Sequence, residues 1–180
     1  MQKIVFMTLF AYGLMVSSVS ANTLKEQHIG YVNMDLGDST GNGITMGYNI
    51  LYPVFIETVD GVYFGFNTNL NFLKFDSSED DTETSEDSSF SFGFNGSGLI
   101  GYEYKNILMK LGIGFDYTAI GLNSGPSFFG VLYTTSVEYR FTNTFATEVA
   151  YKTGQMHLYS GNDNSTVNKS QFELNFVWKF

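Results

Sequence analysis

Apolar and polar residues alternate along the last ten residues of the chain, Gln171 to Phe180. The apolar positions are every second residue: Phe172, Leu174, Phe176, Trp178 and Phe180. The positions between them are polar, with Val177 as the one exception. Strict alternation predicts a β-strand with one apolar and one polar face. The strand ends on an aromatic side chain beside the terminal carboxylate.

The same alternation recurs in seven earlier segments, which are separated by turn-forming residues. The eight predicted strands are about His28 to Leu36, Gly43 to Phe55, Val62 to Lys74, Phe90 to Tyr104, Ile107 to Tyr117, Phe128 to Phe141, Thr144 to Lys152 and Gln171 to Phe180. Abundant glycine and aromatic residues and scarce proline also favour β structure. We therefore expect an all-β fold.

Charge is segregated between the two faces of these strands. The apolar faces, which include Val32, Met34 and Leu36 in the first strand, carry no charge except Lys74 at a strand tip. The opposite faces carry Asp35, Glu103, Lys110, Asp116, Glu138, Arg140, Glu148, Lys152, Glu173 and Lys179. A basic residue facing lipid at mid-bilayer costs about 2–4 kcal/mol. The segregation predicts apolar faces in lipid and charged faces inside a closed barrel.

The connections alternate in length. The first (Gly37 to Asn42), third, fifth and seventh are long or loop-like, whereas the others, such as Lys105-Asn106 and Thr142-Asn143, are short. Short periplasmic turns and longer external loops are typical of outer-membrane barrels. Aromatic residues also collect at both ends of the predicted strands, as in the two interfacial girdles of such proteins.

The terminal segment resembles the closing strand of bacterial outer-membrane β-barrels, which the assembly machinery reads. The whole pattern resembles the small eight-stranded barrels of the OmpA transmembrane-domain and OmpX type. This resemblance implies an integral protein of a Gram-negative outer membrane, in contact with its lipid and lipopolysaccharide, and we expect a monomer. A soluble lipocalin-like barrel that turns its apolar face inward is the alternative architecture.

The first residues have the features of a signal peptide. Lys3 precedes the apolar run Ile4 to Val16, and Val19-Ser20-Ala21 fits a cleavage site. We expect cleavage after Ala21, which leaves residues 22–180 as one barrel domain. The chain has no cysteine, so it offers no disulfide and no thiolate metal site. No later apolar run reaches the roughly 18 residues that a transmembrane helix needs.

The chain is acidic, with a formal net charge of −9, which argues against a nucleic-acid partner. Seven of its carboxylates fall in the segment Asp76 to Ser89, which contains no basic residue. We expect a solvated external loop. The segment lacks the spacing of a calcium-binding loop, and we expect neither a metal site nor a cofactor.

Six of the charges predicted inside the barrel lie on the last four strands: Lys110, Glu138, Arg140, Glu148, Glu173 and Lys179. We interpret them as a structural network of ion pairs and hydrogen bonds that fills the lumen. A gate between closed and conducting states is the alternative interpretation.

Two histidines are present, and His157 lies three residues before Ser160. Lipid A deacylases of the PagL type are similar in size and carry a His and a Ser two residues apart, a spacing that this chain does not reproduce. We therefore expect a non-enzymatic protein that presents external loops for surface interaction, adhesion or envelope integrity. A narrow or gated porin-like channel is the main alternative, followed by a lipid A-modifying enzyme and a soluble carrier.

Overall fold

The computed structural model describes residues 23–56, 59–75, 89–121, 125–159 and 165–180. They form eight strands: β1 (Leu24–Leu36), β2 (Ser39–Ile56), β3 (Val59–Phe75), β4 (Ser89–Tyr104), β5 (Ile107–Ile120), β6 (Ser127–Arg140), β7 (Phe145–Leu158) and β8 (Thr166–Lys179). Neighbouring strands pair antiparallel, and β8 pairs with β1 to close the barrel. The predicted eight-stranded antiparallel barrel is confirmed. The predicted signal peptide and residues 76–88 of the acidic segment lie outside the described residues.

The strands are staggered around the barrel. Following directly paired residues from Glu26 through all eight strands leads back to β1 at Leu36, ten residues farther along. A barrel with this number of strands and this stagger has tilted strands and an interior just wide enough to be filled by side chains. Closure also pairs each strand on both of its edges. A lipid environment requires this pairing, because it offers no other hydrogen-bond partners to the backbone.

The outer surface of the barrel is apolar. Large side chains point outward and are exposed, among them Phe66 at 62%, Leu111 at 59% and Tyr133 at 55%. An apolar belt of this extent is not stable in water and marks a lipid-facing surface. The alternative of a soluble carrier with an apolar interior is therefore wrong, because the polar and charged side chains are the buried ones.

The two faces predicted for β2 to β8 are confirmed, but the prediction for β1 is wrong. Val32 and Met34 are fully buried inside the barrel, and Leu36 is nearly so. Asp35, which was expected inside, is exposed on the outer wall and accepts hydrogen bonds from Thr40 and Ser170. Alternation predicts which residues share a face, but it does not say which face is inside.

The reversal on β1 has a packing cause. Its inward apolar residues belong to a buried cluster at the loop end of the barrel, hereafter the upper cap: Val32, Met34, Leu36, Leu73, Phe75, Phe128 and Met156. A second buried cluster, of Leu51, Leu99 and Leu108, lies toward the short-turn end. The interior is therefore apolar across its loop end and mainly polar in the middle.

Two connections differ from their predicted lengths. Gly37, with a φ of 61°, and Asp38 alone connect β1 to β2, so the first connection is a tight turn. β7 continues to Leu158 and β8 begins at Thr166, so the last connection is shorter than expected. The outward positions of these extensions are polar, so the alternation of outward apolar and inward polar residues ends where a strand leaves the lipid belt.

Among the described residues, no helix has the length and apolarity needed to cross a membrane.

Candidate functional site

The most heavily charged part of the interior surrounds Lys110 on β5. Its ammonium nitrogen, Nζ, lies 2.7 Å from Glu148 Oε1, 3.0 Å from Glu138 Oε2 and 3.4 Å from Glu26 Oε2. Lys110 is only 1% exposed. One cation thus contacts carboxylates from three other strands, and the pairs bind β1, β5, β6 and β7 together across the lumen.

Strand register explains why a lysine is needed at this point. Glu138 on β6 and Glu148 on β7 are direct partners in the antiparallel ladder, and both side chains point into the barrel. Two like charges opposite each other destabilise a sheet, and burying either one without a partner is costly. Lys110 contacts both carboxylates and removes the repulsion.

A second group of charges lies toward the periplasmic mouth. The Arg140 guanidinium contacts Glu103 and lies 3.0 Å from Glu138 Oε1 and 3.5 Å from Glu26 Oε1. Lys179 Nζ lies 3.1 Å from the same Glu138 oxygen. A cavity of about 240 Å³ opens beside these residues and is lined by Glu103, Arg140 and Lys179. The mouth is thus polar and partly open, whereas the loop end is covered by the upper cap.

Two further ion pairs lie nearer the loop end. Lys152 Nζ donates to Glu173 Oε1 at 2.7 Å, and Lys169 Nζ donates to Asp116 Oδ1 at the same distance. All four side chains are buried. Together with the Lys110 and Arg140 groups, these pairs distribute opposite charges along most of the lumen.

His28 is enclosed in the same polar interior, at 2% exposure. Its imidazole lies directly over Gly47 on β2, so a Cβ at that position would overlap the ring. No partner for His28 could be predicted from the sequence, because Gly47 lies opposite it only in the register of β1 and β2.

All six charges singled out from the sequence lie in the interior. Five of them, Lys110, Glu138, Arg140, Glu148 and Lys179, belong to the connected group described above, and Glu173 pairs with Lys152. Sequence reasoning missed Glu26 and Lys169, because each lies in a polar segment without alternation, outside the predicted strands. Only the lengthening of β1 and β8 brings them inside.

The five aromatic and aliphatic residues of the closing strand face outward or lie at its end. Phe172, Leu174 and Phe176 are exposed to the lipid side. Trp178 Nε1 donates to Gln27 Oε1 at 2.9 Å, and the Phe180 backbone N–H donates to the Lys25 carbonyl at 3.3 Å. The exceptional residue, Val177, is completely buried inside. These contacts attach the end of β8 to β1, where the barrel closes.

The histidine considered for catalysis occupies a different setting from the expected loop. His157 lies on β7 opposite Thr166 of β8, points outward, and has its Nδ1 3.1 Å from the Thr166 hydroxyl. Ser160 lies outside the described residues. Within the described part of the chain, no cluster of three or more His, Cys, Asp or Glu side chains is arranged to hold a metal ion.

Comparison with known proteins gives no match to a family model and none to a curated protein. Solved structures are similar in fold. Neisserial surface protein A is 13% identical, with a TM-score of 0.52, over 91% of this chain and 100% of its own. Ail, the attachment invasion locus protein of Yersinia pestis, in complex with the heparin analogue sucrose octasulfate, is 12% identical, with a TM-score of 0.56, over 88% of this chain and 99% of its own.

Ail has also been solved in a phospholipid bilayer nanodisc, as an outer-membrane protein, and that structure is 11% identical with a TM-score of 0.52 over 87% of this chain and 99% of its own. Identities this low establish the fold alone. The structural similarity extends over nearly the whole barrel. An outer-membrane fold also agrees with the exposed apolar belt and the charged interior of this chain. The chain has the fold of the small, eight-stranded integral β-barrels of the Gram-negative outer membrane.

Proposed function

We propose that this protein is a non-enzymatic scaffold of the outer membrane, which presents its external connections for surface interaction, adhesion or envelope integrity. The observation that carries the proposal is the filled interior. The upper cap closes the loop end, and buried ion pairs occupy the lumen below it. An interior of this kind leaves little room for a ligand, so recognition falls to the loops that the rigid barrel holds in place.

The connection between β3 and β4 is the strongest candidate for such contact. It carries seven carboxylates and no basic residue, and Phe75 and Ser89 pair directly at its base. A concentration of negative charge attracts cationic surfaces and divalent ions and repels anions. Ail has been solved with a sulfated sugar, but the acidic connection here favours a partner of the opposite charge.

The experiment is a loop replacement in cells that express the protein. Residues 76–88 are replaced with a two-residue Asn-Gly turn, which suits the direct pairing of Phe75 with Ser89. A second test variant keeps the length of the segment and converts its seven carboxylates to amides, which removes the negative charge alone. We expect both variants to assemble and both to reduce adhesion of cells to a cationic surface. If the shortened variant fails to assemble, the segment is structural and the proposal loses its main support.

A gated channel is the second candidate, and one observation favours it. Glu26 has three cations within reach, with its carboxylate oxygens 3.4 Å from Lys110, 3.5 Å from Arg140 and 3.9 Å from Lys179. A gate requires a buried charge to change its partner, and Glu26 has alternative partners within reach. Single-channel recordings on refolded protein separate the two candidates. The scaffold predicts no discrete openings above background, and regular openings would favour the channel.

The enzymatic alternative has a direct test of its own. Lipid A from cells with and without the protein is compared by mass spectrometry. The scaffold proposal predicts identical acylation patterns. Loss of one acyl chain on expression, abolished by His157→Ala, would replace the scaffold with a lipid A-modifying enzyme.

A further inference from the structure

The apolar belt is not equally tall around the barrel. On β5 and β6 the outward residues stay apolar or aromatic up to the loop end, with Tyr117, Phe129 and Val131 all exposed. On β7 and β8 the outward positions above Tyr151 and Phe172 are polar: Thr153, Gln155, His157, Thr166, Asn168 and Ser170. The outer wall therefore has a tall apolar side and a side whose upper part is polar.

Strand tilt does not produce this difference. Tyr117, Phe129 and His157 are directly paired from β5 to β7. With a stagger of ten residues over eight strands, a paired residue rises by about 1.25 residues per strand. Gln155, two positions below His157, therefore lies at about the same height as Tyr117. At this height the outer face of β5 is aromatic, whereas the outer face of β7 is polar.

A groove follows the boundary between the two sides. It has a volume of about 600 Å³ and is lined on β6 by Phe129 and Tyr133, and on β7 and β8 by Thr153, Gln155, His157 and Asn168. Pockets of this volume accommodate ligands of small-molecule size.

The polar wall of the groove has unused hydrogen-bonding capacity. Gln155 and Asn168 are direct partners across β7 and β8, and both are exposed. Within the described part of the chain, neither side-chain amide has a hydrogen-bond partner, whereas Thr153 and His157 are bonded to Lys169 and Thr166. The two amides offer donors and acceptors at a height where Tyr117, two strands away from Gln155 on β5, faces the apolar zone.

We propose that this groove binds the saccharide headgroup of an outer-leaflet glycolipid. The amides donate to and accept from sugar hydroxyls, the Phe129 and Tyr133 rings contact the apolar faces of the sugar, and the acyl chains run down the belt below. Among the residues that the structure describes, the groove is lined by no carboxylate and no lysine or arginine, so its chemistry suits a hydroxyl-rich headgroup better than a phosphate or a cation-bridged one. The site lies on the barrel wall and is separate from the external connections of the scaffold proposal.

Native mass spectrometry of the refolded protein tests the site. The probes are a lipopolysaccharide with a truncated core and, for comparison, phosphatidylethanolamine. The test variant combines Gln155→Leu with Asn168→Leu, which removes both amides while keeping side chains that lipid tolerates. The matched control combines Thr135→Val with Thr147→Val, which removes polar groups from the outer faces of β6 and β7 elsewhere. Heat-dependent gel mobility verifies that every variant is folded.

The site predicts that the unaltered protein and the control retain lipopolysaccharide in preference to phosphatidylethanolamine. The double leucine variant should retain it about ten-fold less, as expected for two lost hydrogen bonds. Equal retention by all three proteins, or equal retention of the two lipids, would overturn the proposal. Protein dimers that form without lipopolysaccharide and disappear in the leucine variant would assign the groove to a second copy of the chain instead.

Discussion

Lys110 Nζ lies 2.7 Å from Glu148 Oε1 in the interior of the barrel, and both side chains are almost completely shielded from solvent. Two more carboxylates, of Glu138 and Glu26, are within 3.4 Å of the same nitrogen. Lys110 is the one cation that contacts all three acids, while Glu26 and Glu138 share Arg140 and Lys179 as further partners. Since a buried charge is costly when it loses its partner, this contact is the point at which the interior is most sensitive to change.

Lys110→Met should destabilise the barrel strongly. The substitution keeps the size of the side chain but leaves Glu148 without its cation and restores repulsion between Glu138 and Glu148. Breaking a buried pair in this way costs about 3–5 kcal/mol. The measurement is urea unfolding of the refolded protein in detergent or vesicles, followed by gel mobility or tryptophan fluorescence.

Two further variants make this result specific. Lys74→Met, at an exposed strand tip, should change stability by no more than about 0.5 kcal/mol. Adding Glu148→Gln to Lys110→Met should recover part of the loss, because the double variant no longer buries an unpaired charge. A double variant less stable than Lys110→Met alone would contradict the assigned pairing.

Gly47→Ala should also destabilise the barrel, for a steric reason. An added methyl group would overlap the His28 imidazole and the Asn69 side chain, and overpacking of this kind costs about 1–3 kcal/mol. Gly98→Ala is the matched control, because Gly98 faces outward and the nearest atom to its added Cβ is 4.0 Å away. The same urea titration measures both, and equal midpoints for the two variants would show that His28 does not lie over Gly47.

Alternation in the sequence was sufficient to predict the barrel, because lipid on one side and a polar interior on the other impose a period of two. It succeeded where the belt is tallest, as on β4 to β6. It failed for Val32, Met34 and Leu36, whose apolar side chains fill the upper cap. An apolar stripe facing the cap and one facing lipid have the same period, and only the packing of β1 against β3, β6 and β7 distinguishes them.

The candidate site was less predictable than the fold. Lys110, Glu138 and Arg140 could be placed inside because each alternates with exposed apolar neighbours. Glu26 and Lys169 could not, because the outward residues beside them are polar and their segments show no apolar period. Which acid pairs with which base depends on the stagger of ten residues, which no local sequence feature encodes.

The uneven height of the belt predicts an uneven response to charge. Tyr117→Arg and Gln155→Arg introduce the same side chain at about the same height on β5 and β7, two strands apart in the barrel wall. The arginine at Tyr117 enters the tall apolar side and should cost more free energy than the arginine at Gln155, where about 0–1 kcal/mol is expected; both costs should stay below the 2–4 kcal/mol found at mid-bilayer. Unfolding in vesicles measures both free energies, and equal losses would mean that lipid covers the two sides to the same height.

The closing residues should matter more for assembly in the cell than for stability. Phe180 is 57% exposed and contacts the Tyr48 ring with a centroid separation of 6.1 Å, so Phe180→Ala removes little buried area. We expect near-native unfolding in vitro but a lower yield of folded protein in the outer membrane. Phe172→Ala, an equally lipid-facing change within the strand, is the control. Equal yields of folded protein for the two variants would show that Phe180 has no special role in assembly.

Gel mobility of membrane fractions, with and without heating, tests most directly whether the chain is a closed barrel in lipid. Closed barrels with fully paired strands resist detergent until heated, so the unheated protein should run as a compact band in the outer-membrane fraction and shift on boiling. A protein found in the soluble periplasmic fraction, with the same mobility before and after boiling, would contradict the lipid-facing belt and the charged interior together.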